Sequence, residues 1–542
     1  MVSLFPRKTE LWCRCCSMTT SFLNGERAVV LLFISTILFS LPLSLLFHGV
    51  SLSLLTLASF FLEISFDNSN SPSLFRTRPG ASSGILLGAV TLPSLLLSKL
   101  VQLSRGLSLA QLQLQEIQYL TLQYWATSAS ACSVVLFLAF AQRRSPLTPS
   151  HWVVRFSLCS IFFQALVSVA ALATTSQIGE AFLVTAGIVL YFGDMLLLTI
   201  KKLCGLLVST KLVTAEHELR RSEISIIIQG LVLGLLLYPV ALKYILQIWE
   251  WSINTASAEG RRYTEVGRSI IFIASLGFVL IVIVPSWMQF VQEFHVHPFF
   301  WVLSFVFSEP SKRLSLCIYW VCIICVSVLR FYNISKKSKI ERILLRKYYH
   351  LMAVSMFLPA LIFQPKFLDL AFGAALAVFL TLEIIRVWRI WPLGQPINQF
   401  MNAFTDHRDS DLLIVSHFSL LLGCALPIWM SSGYNDRPLA PFAGILSLGI
   451  GDTMASMVGH KYGVLRWSKT GKKTVEGTAA GITSVLAACS LLLPLLASTG
   501  YILTQHWFSL LLAVTVSGLL EAYTAQLDNA FIPLFFYSLL CL

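Results

Sequence analysis

The 542-residue chain is 56% hydrophobic and only 12% charged, about half of the roughly one-quarter charged fraction with which soluble globules cover their surface. A soluble fold of this length is excluded, so lipid must be the solvent for most of the chain. The net charge of +13 does not point to nucleic acid, because Lys and Arg sit in short segments between apolar stretches, where positive charge records orientation across a membrane.

The twelve cysteines are scattered and lack paired metal-ligand spacing. Cys13, Cys15 and Cys16 precede the first apolar run, either as free thiols or as sites for palmitoylation. That run, Val29–Leu46, is too long for a signal-peptide core and is followed by further runs, so it reads as retained. Ser157–Ala173, Ile224–Leu242, Ile270–Val284, Leu314–Val328 and Leu412–Ile428 recur along the chain. Each approaches the ~20 helical residues that a hydrocarbon core requires. The fold class is all-α, a polytopic integral membrane protein with roughly fourteen transmembrane helices.

Residues 1–308 form an N-terminal multi-span region poor in residues that carry chemistry. Its polar breaks, Asn68–Pro79, Arg143–Ser150 and Asn254–Arg268, read as loops. Gln111–Gln115 with Glu116 reads as an interfacial amphipathic stretch. Asp194, inside Ala181–Ile200, is the unusual residue of this half. An acid in a span is costly and either serves function or hydrogen-bonds a neighbouring helix.

In residues 309–542 short basic loops alternate with spans. Ser335–Lys347 carries Lys336, Lys337, Lys339, Arg342, Arg346 and Lys347. Arg386–Arg408 follows, then the weakly charged Ser431–Arg437, then His460–Lys473 with Lys461, Arg466, Lys469, Lys472 and Lys473. Counting spans puts the three basic loops on one side, which positive-inside reasoning makes cytoplasmic. The Phe508–Leu520 span returns to that side and brings Glu521 and Asp528 there. The sequon Asn333-Ile334-Ser335 adjoins a cytoplasmic loop in this topology and is expected to be unmodified.

The densest constellation is Gly449-Ile450-Gly451-Asp452-Thr453 with Ser456, then Gly459, Gly463 and Lys472-Lys473-Thr474-Val475-Glu476-Gly477-Thr478. Asp452 closes a glycine-permissive segment, and Ser456 lies one helical turn later on the same face. Glycines permit close backbone approach, lysines offer compact positive charge, and Thr474 and Thr478 add hydroxyls. Such a set suits a nucleoside triphosphate with a divalent metal, where positioning and electrostatics supply most of the catalysis. The spacing is not that of a Walker loop. The competing reading is a positive-inside loop with glycines that serve helix packing. Glu521 and Asp528, seven residues apart, would share a helical face and offer a second carboxylate pair for metal, or else cap and solvate helix ends. Arg346, Lys347 and His350 would share another face, fit for phosphate or for a basic stop at a span end.

These residues carry a resemblance. Gly451-Asp452-Thr453 through Lys472-Lys473-Thr474-Val475-Glu476-Gly477-Thr478 is similar to the CDP-binding region of dolichol kinases, within the wider group of CTP-dependent polyprenol and phytol kinases. Arg346-Lys347-Tyr348-Tyr349-His350 resembles their Arg-Lys-x-x-His element. Glu383-Ile384-Ile385-Arg386, Pro392-Leu393-Gly394, Asp406 to Ser410 with Asp409, His417, Leu426-Pro427-Ile428-Trp429 and Leu519 to Asn529 also fit. The likeness covers roughly residues 340–542. One departure is Arg466-Trp467-Ser468-Lys469-Thr470-Gly471-Lys472, a longer polar turn where the family carries a proline.

The resemblance implies CTP as phosphoryl donor, dolichol as acceptor, a divalent cation such as Mg2+, and an endoplasmic reticulum membrane with the site facing the cytosol. It implies a CTP-binding loop at 459–475, with Asp452, Lys472, Lys473 and Glu476 catalytic. Gly451, Thr453, Ser456, Gly459, Lys461, Gly463, Arg466, Lys472, Lys473, Thr474, Gly477 and Thr478 would contribute to nucleotide binding. Asp452, Glu521 and Asp528 would hold metal. The rivals are another prenol kinase, a CTP-using cytidylyltransferase and, in a different class, a multi-span transporter or scaffold. The two halves lack the matching broken segments of a transporter. No cysteine or serine has a partner that suggests a phospho-enzyme, which favours direct transfer.

Overall fold

A computed structural model describes residues 23–68, 82–108, 114–142, 178–207, 221–253, 261–337, 342–402, 415–467, 473–498 and 507–542. Its elements are helices, with one isolated antiparallel bridge between Arg466 and Thr474. Eight of the described helices are long and apolar enough to cross a membrane, and shorter apolar helices accompany them. The protein is therefore an all-α polytopic membrane protein. The Ser157–Ala173 run lies outside the described residues.

The chain divides into two units, one of residues 1–189 with 433–542 and one of residues 190–432. The sequence-based boundary near residue 308 falls inside the second unit.

In the first unit, the Val29–Leu46 run is not one span. The Gly25–Phe39 helix ends at Ser40, and a new helix begins beyond Pro42, running over Leu46–Asp67. Proline disfavours helix at the residue before it and cannot continue the hydrogen-bond ladder, so the run breaks there. The Ile85–Ser108 helix is buried along its whole apolar window. It packs against the helices Gly25–Phe39, Leu46–Asp67, Leu114–Gln142 and Asp528–Cys541. A helix surrounded by others has no solvent face to mark. It carries Ser98, whose hydroxyl meets that of Ser538 at 2.7 Å, and Lys99, which donates to Gln102 and to the Tyr434 carbonyl. Near its end Arg105 pairs with Asp436 at 2.9 Å. These bonds tie the beginning of the chain to residues 433–542 of the same unit.

In the second unit, the Glu223–Ile253 and Pro365–Val387 helices pack side by side. Asp194, in the Ile178–Leu207 helix, accepts a hydrogen bond from Gln229 at 2.8 Å and faces Arg221 at 3.7 Å. The costly acid thus serves helix–helix cohesion. Glu383 and Arg386 form a buried pair at 2.6 Å, one turn apart on the Pro365–Val387 helix.

The candidate active site

The chain enters the site through Ile445–Asp452, a π-helical stretch that passes directly into the Thr453–Tyr462 α-helix. A π-segment accommodates an extra residue per turn and marks functional positions more often than chance. Asp452 stands at the junction and is 2% exposed, as is Thr453. Ser456 is half-buried on the next turn, and Lys461 is exposed with its ammonium over the Tyr462 ring.

Beyond Gly463 the chain folds back on itself. Trp467 donates from its backbone to the Lys473 carbonyl at 3.2 Å, and Val475 donates to Leu465 at 2.8 Å. Exposed Arg466 lies on this hairpin; Lys472 is outside the described residues. Thr474 caps the Val475–Ser498 helix, its hydroxyl accepting from the Gly477 N–H at 3.2 Å, the usual satisfaction of an orphan donor by a threonine. Glu476 is engaged with the Leu465 N–H at 3.0 and 3.2 Å, so this acid pins the hairpin to the helix start. Thr478 receives the Trp467 indole N–H at 2.9 Å, and the same indole packs on the Tyr523 ring.

The ammonium of Lys473 donates to the backbone carbonyl of Glu521, in the last turn of the Trp507–Tyr523 helix. Unsatisfied carbonyls and the negative end of the helix dipole favour a cation there. Glu521, Thr478 and Gly451 line one cleft, walled further by Ile482, Val485, Val514, Ile532 and Phe536. Asp452 directly follows Gly451. Lys473 and Glu521 are thereby joined at this cleft, and Gly451, the neighbour of Asp452, lines its wall.

Glu521 and Asp528 do not share a helical face. The helix ends at Tyr523, and Asp528 opens the next one, Asp528–Cys541. The break has local causes: the Thr524 hydroxyl accepts the Gln526 N–H at 3.2 Å, which competes with helical bonding, and Asp528 suits the positive end of a new helix. Among the described residues no group of three or more His, Cys, Asp and Glu side chains assembles for a metal. The donors at the cleft are nonetheless hard oxygens, which suit Mg2+. That ion takes one or two carboxylates and completes its octahedron with phosphate oxygens and water.

Arg346, Lys347 and His350 lie in the Arg342–Phe363 helix of the second unit, where His350 is 6% exposed. His417 lies in Val415–Met430 of that unit, and Asp409 is outside the described residues.

Comparison with known proteins decides the lineage. Residues 178–432 match the family model described as Dolichol kinase. The chain is 59% identical to the Arabidopsis thaliana protein Dolichol kinase EVAN over 566 aligned positions, 96% of this chain and 99% of that one. The chain belongs to the dolichol kinase family. Dolichol kinase from Homo sapiens is 37% identical over 285 positions, 49% of this chain and 51% of its own. Dolichol kinase sec59 from Schizosaccharomyces pombe is 34% identical over 257 positions, 45% of this chain and 50% of its own. No solved structure matches.

For a dolichol kinase family member the glycines of the motif have an explicit structural use. A Cβ on Gly477 would meet the Ala455 carbonyl oxygen at 2.5 Å and the Gly459 Cα at 3.0 Å. On Gly463 it would meet the Gly459 oxygen at 2.3 Å. The Thr453–Tyr462 and Val475–Ser498 helices therefore touch backbone to backbone, which fixes Asp452 relative to the Lys473 hairpin. Gly477→Ala is expected to destabilise the solubilised protein by about 1–3 kcal/mol, the usual cost of overpacking. It should also raise the nucleotide KM; a melting curve and steady-state kinetics check both. Trp467, Tyr523 and Ser517 escaped the sequence reading. For Ser517 one signal existed: it precedes Glu521, the one charged residue of this helix, by four residues, one turn.

Proposed function

We propose that the chain transfers the γ-phosphoryl group of CTP to the hydroxyl of dolichol, giving dolichyl phosphate and CDP for protein N-glycosylation and mannosylation. The observation that carries this reading is 59% identity to a dolichol kinase across 96% of the chain. The contact of Lys473 with Glu521, beside an apolar cleft lined by Gly451, the neighbour of Asp452, supports it.

Lys473, with Arg466 on the same hairpin and with Lys472, its neighbour in sequence, binds the CTP phosphates. The carbonyl of Glu521 uses one Lys473 N–H and leaves two for phosphate oxygens. Asp452 takes the proton of the dolichol hydroxyl as the new O–P bond forms and the bond to the β-phosphate oxygen breaks, with CDP leaving. A divalent cation held by Asp452 and Glu521 would neutralise charge on the triphosphate. Burial of Asp452 keeps competing water away from this proton transfer. Arg346, Lys347, His350, Asp409, His417 and Asp528 are proposed to assist through the family resemblance. The protein is placed in the endoplasmic reticulum membrane, with the basic hairpin facing the cytosol.

The test is phosphorylation of dolichol in membranes from cells expressing the protein, with CTP against ATP as donor. Product formed from CTP at least tenfold faster than from ATP is the expected result. Transfer from ATP alone would overturn the donor assignment, and no transfer from either would overturn the activity.

A further inference from the structure

The cleft beside Asp452 contains a buried hydroxyl that the proposed nucleotide site does not use. Ser517 lines the cleft, is 4% exposed, and its Oγ has no hydrogen-bond partner. Hydroxyls within apolar helices ordinarily bond back to the carbonyl one turn earlier. Two others on this cleft do so: Ser447 donates to Ala443 at 2.7 Å and Thr478 to Thr474 at 3.1 Å. Ser517 does not, although leaving a buried hydroxyl unpaired costs stability. Of the described buried serines without a partner, it is the one that lines the cleft.

The cleft walls restrict what the missing partner is. No Lys or Arg is among the lining residues, so the cleft is unsuited to phosphates, which require cations. Its walls are aliphatic and aromatic, and its polar groups are hydroxyls and one carboxylate. That chemistry matches an amphiphile with a single hydroxyl on a long apolar body. Glycines let the walls of the cleft approach closely: a Cβ on Gly518 would meet Ile482 at 2.6 Å, and one on Gly451 would meet Val485 at 3.0 Å. Ser517 and Glu521, one turn apart, face the cleft together.

We propose that this cleft is the acceptor site. It seats the alcohol end of the polyprenol, with Ser517 hydrogen-bonded to the reacting hydroxyl and Ile482, Val514 and Phe536 around the first isoprene unit. Ser517 is a positioning residue that presents the hydroxyl to Asp452, the neighbour of Gly451. This assignment rests on reading Asp452 and Lys473 as the donor side.

The experiment uses the full-length enzyme in detergent with dolichol and CTP varied separately. Ser517→Ala should raise the KM for dolichol about tenfold, the order expected for one lost hydrogen bond, and leave the KM for CTP unchanged. Ser517→Thr, which retains the hydroxyl, should recover most of the loss. An unchanged dolichol KM in Ser517→Ala, or an equal rise in both constants, would overturn the proposal. A second measurement does not depend on variant folding. A short polyprenol with a diazirine on its first isoprene unit should crosslink to the helices Val475–Ser498, Trp507–Tyr523 or Asp528–Cys541. Crosslinks confined to residues 190–432 would overturn it. Full activity in Asp452→Asn alongside a shifted dolichol KM in Ser517→Ala would discard the donor reading and keep this one.

Discussion

Asp452→Asn is expected to lower dolichol phosphorylation by about 10^3-fold or more, the scale on which single charged or hydrogen-bonding groups act in phosphoryl and acyl transfer. Asparagine keeps the shape of the side chain at a site only 2% exposed but can neither accept the hydroxyl proton nor neutralise a cation. The loss should appear in kcat, since these functions are needed as the phosphoryl group moves. Glu476→Gln is the informative comparison. Its carboxylate accepts the Leu465 N–H, which an amide oxygen also accepts, so the hairpin should stay in place and activity fall less than about fivefold. Equal losses in the two variants would give Glu476 a direct role in the reaction. A fully active, normally melting Asp452→Asn enzyme would remove Asp452 from the mechanism.

The membrane class was legible because a bilayer imposes a length and a composition that few other folds share. Which helix is central was not. Ile85–Ser108 is buried throughout, yet lipid tails are as apolar as leucine, so hydropathy does not separate a protein-facing helix from a lipid-facing one. Lys99 and Gln102 were the signals there, each needing a partner that only the fold supplies. The motif from Gly451 to Thr478 stood out because polar residues are expensive near a membrane. Its internal division of labour depended on geometry: Glu476 and Thr474 hold backbone N–H groups, whereas Lys473 reaches a carbonyl forty-eight residues away. The pairing of Glu521 with Asp528 assumed a helix through Thr524–Leu527, and the hydroxyl of Thr524 defeats it. A serine in a span carries little signal by itself, because most satisfy themselves locally as Ser59 does with Leu55. Ser517 is distinguished by the bond it does not make together with its place on the cleft.

The second large effect lies at the other end of the chain. Arg27 in the Gly25–Phe39 helix is buried between two acids, at 2.7 Å from Glu63 and 2.5 Å from Asp67. Glu63 also accepts the Leu86 N–H at 2.7 Å, and Asp67 accepts the Ser83 N–H at 3.1 Å. These are donors at the start of the buried Ile85–Ser108 helix. One guanidinium thus balances the two carboxylates that cap the central helix of its unit. Arg27→Met keeps the apolar stem but leaves both acids without that cation, a change that costs about 3–5 kcal/mol in buried pairs. The solubilised protein should therefore melt well below wild type. The triple variant Arg27→Met, Glu63→Gln, Asp67→Asn should regain most of the loss, since amides still accept the Leu86 and Ser83 N–H groups without stranding charge. The effect should reach catalysis as well. Gly25 abuts the Tyr523 ring, Gln526 donates to the Ser82 carbonyl, and Tyr523 packs on Trp467 of the hairpin. Loosening this corner frees the end of the helix that carries Glu521, so the single variant should lose activity at temperatures below its melting point. Unchanged melting in Arg27→Met would show that the acids are neutral without their cation. Restored melting without restored activity in the triple variant would show that the charge of this corner acts on the site beyond its contribution to folding.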